Sequence, residues 1–199
     1  FYHRPEEARR LNYCVIIIGD PATGKSFATR LYKLIAAPIR AADKVGYDAV
    51  NRYKREVKER GTSSKAQKGD ALKKPEVIIR DHPARTANGV FIADMNAAVE
   101  TVEGQPMHLH MLTFDSELDN ATMMGRGGQW IDKSTMELKA FHNEEDGQAY
   151  ANCDSVSGPF YVYWNFVYTG TPLSLSRKVT ERNFGSGLAT RLAVIPLPP

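Results

Sequence analysis

A chain of 199 residues suits one domain, or one domain with insertions; it can bury a substantial core and leaves little room for a second complete domain. With 25% charged and 42% apolar residues, its composition is that of an ordinary folding protein and excludes a disordered or fibrous one. A formal net charge of +3 does not by itself argue for nucleic-acid binding, because phosphate affinity depends on clustered rather than total charge. The two cysteines, Cys14 in an apolar run and Cys153 among polar residues, form neither a disulfide framework nor a CxxC metal set, so a reducing, cytoplasmic setting is expected. No apolar run reaches the length of a membrane span, and the first residues are polar and charged, so no membrane partner is expected. From its abrupt opening at Phe1 and its closing prolines, we expect residues 1–199 to be a single domain cut from a longer protein.

The first predicted element is a strand over Cys14 to Ile18, continuously apolar and β-branched as in a parallel sheet buried on both faces. A glycine-rich turn follows. Phe27, Leu31, Leu34 and Ile35 recur at helical spacing from Ser26 to Ala37, where Pro38 ends or kinks the helix. A second helix is expected from Ile39 to Arg60, stopped by Gly61, and Gly61 to Lys74 reads as an exposed polar loop. Residues 49–75 together form a basic helix-and-loop insertion. Val77-Ile78-Ile79 and Val90-Phe91-Ile92 flank a loop, and Asn96 to Val102 suits a helix ended by Gly104. Leu109 to Phe114 is the next strand, placing Asp115 and Glu117 at or just past its C-terminal end, where open parallel sheets bind ligands. After the glycines of Gly125 to Gly128 come a helix around Met136 to Phe141, a strand over Phe160 to Tyr168 and a last strand over Leu192 to Ile195. Strands separated by helices imply an α/β fold: a mostly parallel β-sheet sandwiched by helices, with crossover connections.

The run Gly19-Asp20-Pro21-Ala22-Thr23-Gly24-Lys25-Ser26 matches GxxxxGK[ST] in full and lies between a predicted buried strand and a predicted helix, the context a P-loop requires. Its glycines let the backbone curl so that successive N–H groups point at phosphate oxygens, and the following helix adds its positive end. Gly19 through Phe27 is therefore the candidate nucleotide-binding segment of a P-loop NTPase. Lys25 is expected to reach the β- and γ-phosphates, and the Ser26 hydroxyl to ligate Mg²⁺. Asp115 is placed as the second magnesium anchor. Glu117 is the candidate base for the attacking water, although Ser116 stands between the two acids where the commoner pattern has them adjacent.

The order of these features resembles the P-loop ATPase domains of primase- and helicase-like replication proteins of bacterial mobile elements and phages, which are related to AAA+-type ATPases. The resemblance rests on Ile16 to Ser26, Asn88 to Ile92, Leu112 to Glu117, Leu138 to Gly147, Val167 to Pro172 and Gly187 to Leu192. It implies an ATP-hydrolysing, oligomeric domain, a ring or filament, coupled to DNA. It also implies that Thr169 senses the γ-phosphate and that Arg191 completes a neighbouring subunit's site, with Arg177 and Arg182 as substitutes. ATP follows from the resemblance, and the lack of a guanine-reading Asn-Lys-x-Asp run points the same way.

Arg52, Lys54, Arg55, Lys58 and Arg60, then Lys65, Lys68, Lys73 and Lys74, form the densest basic stretch, which suits either phosphate contacts or a solvated face. His108 and His110 share a face without a third ligand and read as packing residues; Tyr161, Tyr163, Trp164 and Phe166 read as core. Two other functions use the same cradle: a small-molecule kinase, in which the C-terminal arginines belong to a lid, and a nucleotide-binding switch with little turnover.

Overall fold

The computed structural model describes residues 2–4, 7–8, 12–62, 72–119, 132–149 and 156–198. Its strands are β1 (Tyr2–Arg4), β2 (Glu7–Ala8), β3 (Cys14–Ile18), β4 (Val99–Val102), β5 (Gln105–His108), β6 (Met111–Asp115), β7 (Glu145–Gln148), β8 (Gly158–Tyr161), β9 (Trp164–Gly170) and β10 (Ala193–Pro196). Its helices are α1 (Ser26–Ile35), α2 (Ala37–Thr62), α3 (Asn88–Ala97), α4 (Ser134–Ala140), α5 (Pro172–Lys178) and α6 (Glu181–Gly185). The glycines at 125 and 128, Lys65, Lys68, Cys153 and the side chain of Arg182 lie outside the described residues.

The fold is α/β, with a four-stranded, all-parallel sheet ordered β10-β3-β9-β6 and flanked by helices. Beyond β6 the chain adds one more parallel bridge, Asp81 to Leu112: the Leu112 amide donates to Arg80 O at 2.8 Å and the His82 amide to Leu112 O at 2.9 Å. From β3 the chain leaves toward this far edge and returns through β6 to β9, whereas from β9 it crosses β3 to reach β10. Adjacent β3 and β9 thus send their crossovers in opposite directions, and right-handed connections then put the intervening helices on opposite faces.

Strand alternation divides the sheet into two unequal faces. One face carries Ile16 of β3, Met111 and Thr113 of β6 and Trp164, Phe166 and Tyr168 of β9, all buried. Trp164, Phe166 and Tyr168 form an aromatic ladder with centroid spacings of 4.9 and 5.0 Å; Phe91 of α3 packs edge-on against Trp164, and the Trp164 indole donates to Thr113 Oγ1 at 3.0 Å. The other face meets α1 and α2 more loosely. Among the described side chains of α1, Ala28 is the one that is buried, while Phe27, Leu31, Leu34 and Ile35 are exposed. Their spacing is helical, as the sequence implies, but their stripe faces away from the sheet.

Three expectations need correction. The helix over Asn96 to Val102 is absent: α3 ends at Ala97, and β4 pairs antiparallel with β5. Glu103 (φ 51°) and Gly104 (φ 79°) both take the left-handed conformation of a two-residue hairpin turn, so Gly104 marks the turn between β4 and β5 rather than a helix end. The strand over Phe160 to Tyr168 is two strands in different sheets, β8 and β9, separated at Val162 and Tyr163; the Tyr163 amide there bonds Tyr161 O at 3.1 Å. Finally, Gly61 does not stop α2, which runs to Thr62.

The kink at Pro38 is as expected. Proline lacks the amide that would continue the ladder, so α1 ends at Ile35 and α2 begins at Ala37. On α2, Gly46 permits close packing against the extended segment 77–79, since a Cβ there would lie 2.9 Å from Ile79 Cγ1 and 3.4 Å from Ile78 O. Asp43 fixes the same approach. Buried at 3% exposure, its Oδ2 accepts the amides of Arg80 at 3.0 Å and Asp81 at 2.7 Å. Replacing Asp43 by Ala leaves both part-buried amides without their acceptor, and we expect a loss of roughly 1–3 kcal/mol in urea unfolding, with Asp43→Asn retaining most of the stability. Equal stability of wild type and Asp43→Ala would show that this clamp does not hold the edge segment.

Candidate functional site

Parallel pairing brings three strand ends together at the C-terminal edge of the sheet. Ile18 of β3 registers with Gly170 of β9, and Asp115 of β6 registers with Tyr168 of β9. The segments that follow are 19–26, 116–117 and 171–174. Two hydrogen bonds join them: the Gly19 amide donates to Gly170 O at 3.1 Å, and Thr169 Oγ1 donates to Ser116 O at 2.7 Å.

The segment from Gly19 to Ser26 is bent. Ala22 (φ 69°) and Gly24 (φ 82°) are left-handed, while Lys25 (φ −47°, ψ −22°) is right-handed and caps α1. The alternation at Gly24 and Lys25 is the local geometry that turns successive amides to one side; glycine meets it without the cost a Cβ brings at positive φ. Inside the loop, the Thr23 amide and hydroxyl both donate to Asp20 O, at 3.3 and 2.8 Å. Among the described residues, no protein acceptor takes the amides of Ala22, Gly24, Lys25 or Ser26. Lys25 Nζ folds over the bend and donates to Gly19 O at 2.6 Å and Asp20 O at 2.7 Å. Ser26, at the first turn of α1, is exposed, and its Oγ accepts from Arg30 Nη1 at 3.2 Å. The exposed Phe27 continues the helix, its amide bonded to Gly24 O at 3.0 Å.

Beyond β6, Asp115 is partly buried and Glu117 exposed. Asp115 Oδ1 accepts the Glu117 amide at 2.9 Å, an Asx turn that holds the backbone at 115–117. Thr169 is buried at 1% exposure, with its hydroxyl committed to that same turn. Asp115, Glu117 and Thr169 therefore share one edge with the Gly19–Ser26 bend. Arg191 does not join them. It precedes β10, at the opposite end of the sheet, where Nη1 donates to Leu138 O at 2.8 Å and Nη2 lies 3.9 Å from Glu144 Oε1. Arg177 lies 3.7 Å from Asp119.

Comparison of the chain with known protein families, curated proteins and solved structures finds no match. Among the described residues, no helix is long and apolar enough to cross a membrane, and no group of three or more His, Cys, Asp or Glu side chains could hold a metal ion by itself.

Two features carry no sequence signature. Over the ring of Tyr168, Lys178 of α5 donates to both oxygens of Glu137 of α4, at 2.9 and 2.6 Å, with both side chains buried. Burial and the Glu137 charge hold the Tyr168 hydroxyl well above the usual tyrosine range, and burial pushes the Cys14 thiol up to about 12. Beside Asp115 and Ser116, a cleft of about 900 Å³ opens between α1, α2 and the 81–83 segment. In it Tyr32 stacks on Phe114 at 4.7 Å and bonds Asp81, which also pairs with Arg40 at 3.1 Å. The Tyr32 hydroxyl is pushed far up by burial and by Asp81.

His108 and His110 pack against Tyr163 at centroid distances of 5.2 and 5.5 Å, as packing residues. Thr169→Val deletes the donor to Ser116 O while preserving shape. We expect a loss of about 0.5–1.5 kcal/mol in chemical unfolding, largely restored by Thr169→Ser; a Val variant as stable as wild type means that the bond does not tie the two strand ends.

Proposed function

We propose that this chain is a P-loop ATPase that binds ATP with Mg²⁺, hydrolyses it and couples hydrolysis to work on DNA, as one domain of a replication or mobilisation protein. The observation that carries the reading is the bend from Gly19 to Ser26. It follows a buried parallel strand, leads into a helix N-terminus, leaves four amides without a protein acceptor and carries Lys25 folded over it. A polyphosphate is the ligand that supplies many anionic acceptors to such a bend. The opposed crossovers of β3 and β9 support the same place for a ligand.

In this reading the amides of the bend receive the phosphate oxygens, and Lys25 exchanges its bonds to Gly19 O and Asp20 O for the β- and γ-phosphates. Ser26 and Asp115 would hold Mg²⁺, which would supply positive charge against that of the phosphates. Glu117 orients a water and takes its proton as the water oxygen bonds the γ-phosphorus. The bond from that phosphorus to the β,γ-bridging oxygen breaks, leaving ADP and phosphate. Thr169, fixed against the 116 carbonyl, is the candidate γ-phosphate sensor. Arg191 lies at the other end of the sheet, so its proposed role is toward a neighbouring copy in a ring or filament, and it requires release from Leu138 O. ATP rather than GTP rests on the resemblance to replication ATPases.

Lys25→Ala is expected to weaken binding of a fluorescent ATP analogue by tenfold or more and to abolish phosphate release; undiminished hydrolysis would refute the cradle. Glu117→Gln should bind ATP like wild type yet hydrolyse it at least a hundredfold more slowly, the scale of general-base catalysis. Normal turnover in that variant moves the base to another residue.

A further inference from the structure

We propose that a single-stranded nucleic acid lies along the groove between α2 and the extended segment 74–83, with its phosphates on Lys44, Lys54 and Lys74 and a base against the ring of Tyr47. The proposal rests on the reading of the chain as an ATPase that works on DNA, and it names the surface on which that DNA sits.

The groove is built by α2. Lys44, Tyr47, Asn51 and Lys54 recur at three- or four-residue intervals and so line one face of the helix. Tyr47 stands at the junction of two cavities. One is the cleft of about 900 Å³ that reaches Asp115 and Ser116; the other, of about 1100 Å³, continues past Asn51 and Lys54 to Lys74. Compact ligands occupy sites of roughly 300–1,000 Å³, so two joined cavities of this size suit a polymer better than a small molecule.

Charge supplies the class of polymer. Most acids lining the groove are partnered: Asp81 by Arg40 and Tyr32, Glu76 by Lys73 at 2.7 Å, and Asp43 by the amides of Arg80 and Asp81, while Asp94 lies 3.3 Å from His82 Nε2. Lys44, Lys54 and Lys74 are exposed, and among the described residues none has an acidic partner. A line of such cations tracks a phosphate backbone, with an affinity that falls as salt rises. Tyr47 adds what an unpaired base needs. Its hydroxyl is anchored to Asp81 O at 3.1 Å and 37% of the residue remains exposed, so its ring is held in place at the groove surface. A duplex keeps its bases stacked inside and cannot use that ring, which selects a single strand.

The test is fluorescence anisotropy with labelled oligothymidylate, oligouridylate and a DNA duplex of equal length, over a salt series. The same samples are titrated with a fluorescent ATP analogue. Single strands of either sugar are expected to bind more tightly than the duplex. Lys44→Ala and Lys54→Ala should each flatten the plot of log affinity against log salt by about 0.7. Tyr47→Ala should lower affinity by roughly fivefold or more, and Tyr47→Phe, which keeps the ring, should not. Arg52→Ala, on α2 but off the stripe, should change nothing. Equal loss in Arg52→Ala and Lys54→Ala overturns the groove as the path, and duplex binding as tight as single-strand binding overturns the choice of partner. ATP binding without any oligonucleotide binding by wild type at low salt overturns this proposal alone, whereas absence of ATP binding overturns the ATPase reading.

Discussion

The arrangement of the candidate site depends on the register of β9. This strand lies between β3 and β6, and its parallel pairing to both decides which residues arrive together at the C-terminal edge. Moving β9 by one residue would turn Trp164, Phe166 and Tyr168 out of the core and replace them with Asn165, Val167 and Thr169. Aromatic side chains bury the largest area per residue, so such a slip is strongly opposed. The ladder at the centre of the sheet therefore fixes geometry at its edge. Gly170 meets the Gly19 amide and Thr169 reaches Ser116 O because Trp164 and Phe166 cannot leave the core.

The two faces of the sheet do different work. On the face with the aromatic ladder, apolar packing is continuous and the buried Lys178–Glu137 pair sits within it. Removing one partner of such a pair would leave a buried charge, a cost of about 3–5 kcal/mol, so the pair opposes rearrangement of α4 against α5 more than it adds net stability. On the other face, α1 and α2 are held by a few directed contacts: Asp43 on two backbone amides, Tyr32 on Phe114 and Gly46 against Ile79. Between those contacts lie the two cavities. Directed contacts with open space between them let a surface admit a ligand without disturbing the core.

Legibility in the sequence followed the range of the interactions. The strand over Cys14 to Ile18, the bend and the break at Pro38 are local, set by β-branching, glycine and the missing proline amide, and they could be read directly. Asp115 at a strand end was also legible, because an apolar run stops there. What failed was local signal with two meanings. Gly104 terminates a helix or turns a hairpin, and only Glu103 adopting positive φ beside it separates the two. The run from Phe160 to Tyr168 is aromatic or β-branched at every position but Asn165, so nothing in it announces that the chain changes sheets at Val162. The spacing of Phe27, Leu31, Leu34 and Ile35 predicts a helix correctly but says nothing of which way the stripe faces. Contacts such as Glu137 with Lys178 and Asp43 with residues 80–81 join distant segments and have no pattern in one sequence. The cleft beside Asp115 is their product and was invisible for the same reason.

The same contacts link the proposed nucleotide site to the proposed groove. Tyr32 is on α1, whose first turn carries Ser26; it stacks on Phe114, the neighbour of Asp115, and bonds Asp81. Asp81 also receives Arg40, and its carbonyl receives Tyr47. A shift of α1 or of the 115–117 turn, such as loss of the γ-phosphate would produce in the proposed reading, must therefore be taken up at Asp81 or at Tyr47. Close-packed interiors pass small displacements on and do not absorb them. The segment at 80–82 is tied to the sheet by a single bridge to Leu112 and by Arg80 Nε donating to His110 O at 2.9 Å, and to α2 by the Asp43 clamp. Motion arriving from the nucleotide side would thus reach Tyr47 through the Asp81 carbonyl, at the edge of the groove where Tyr47 meets the strand it is proposed to hold.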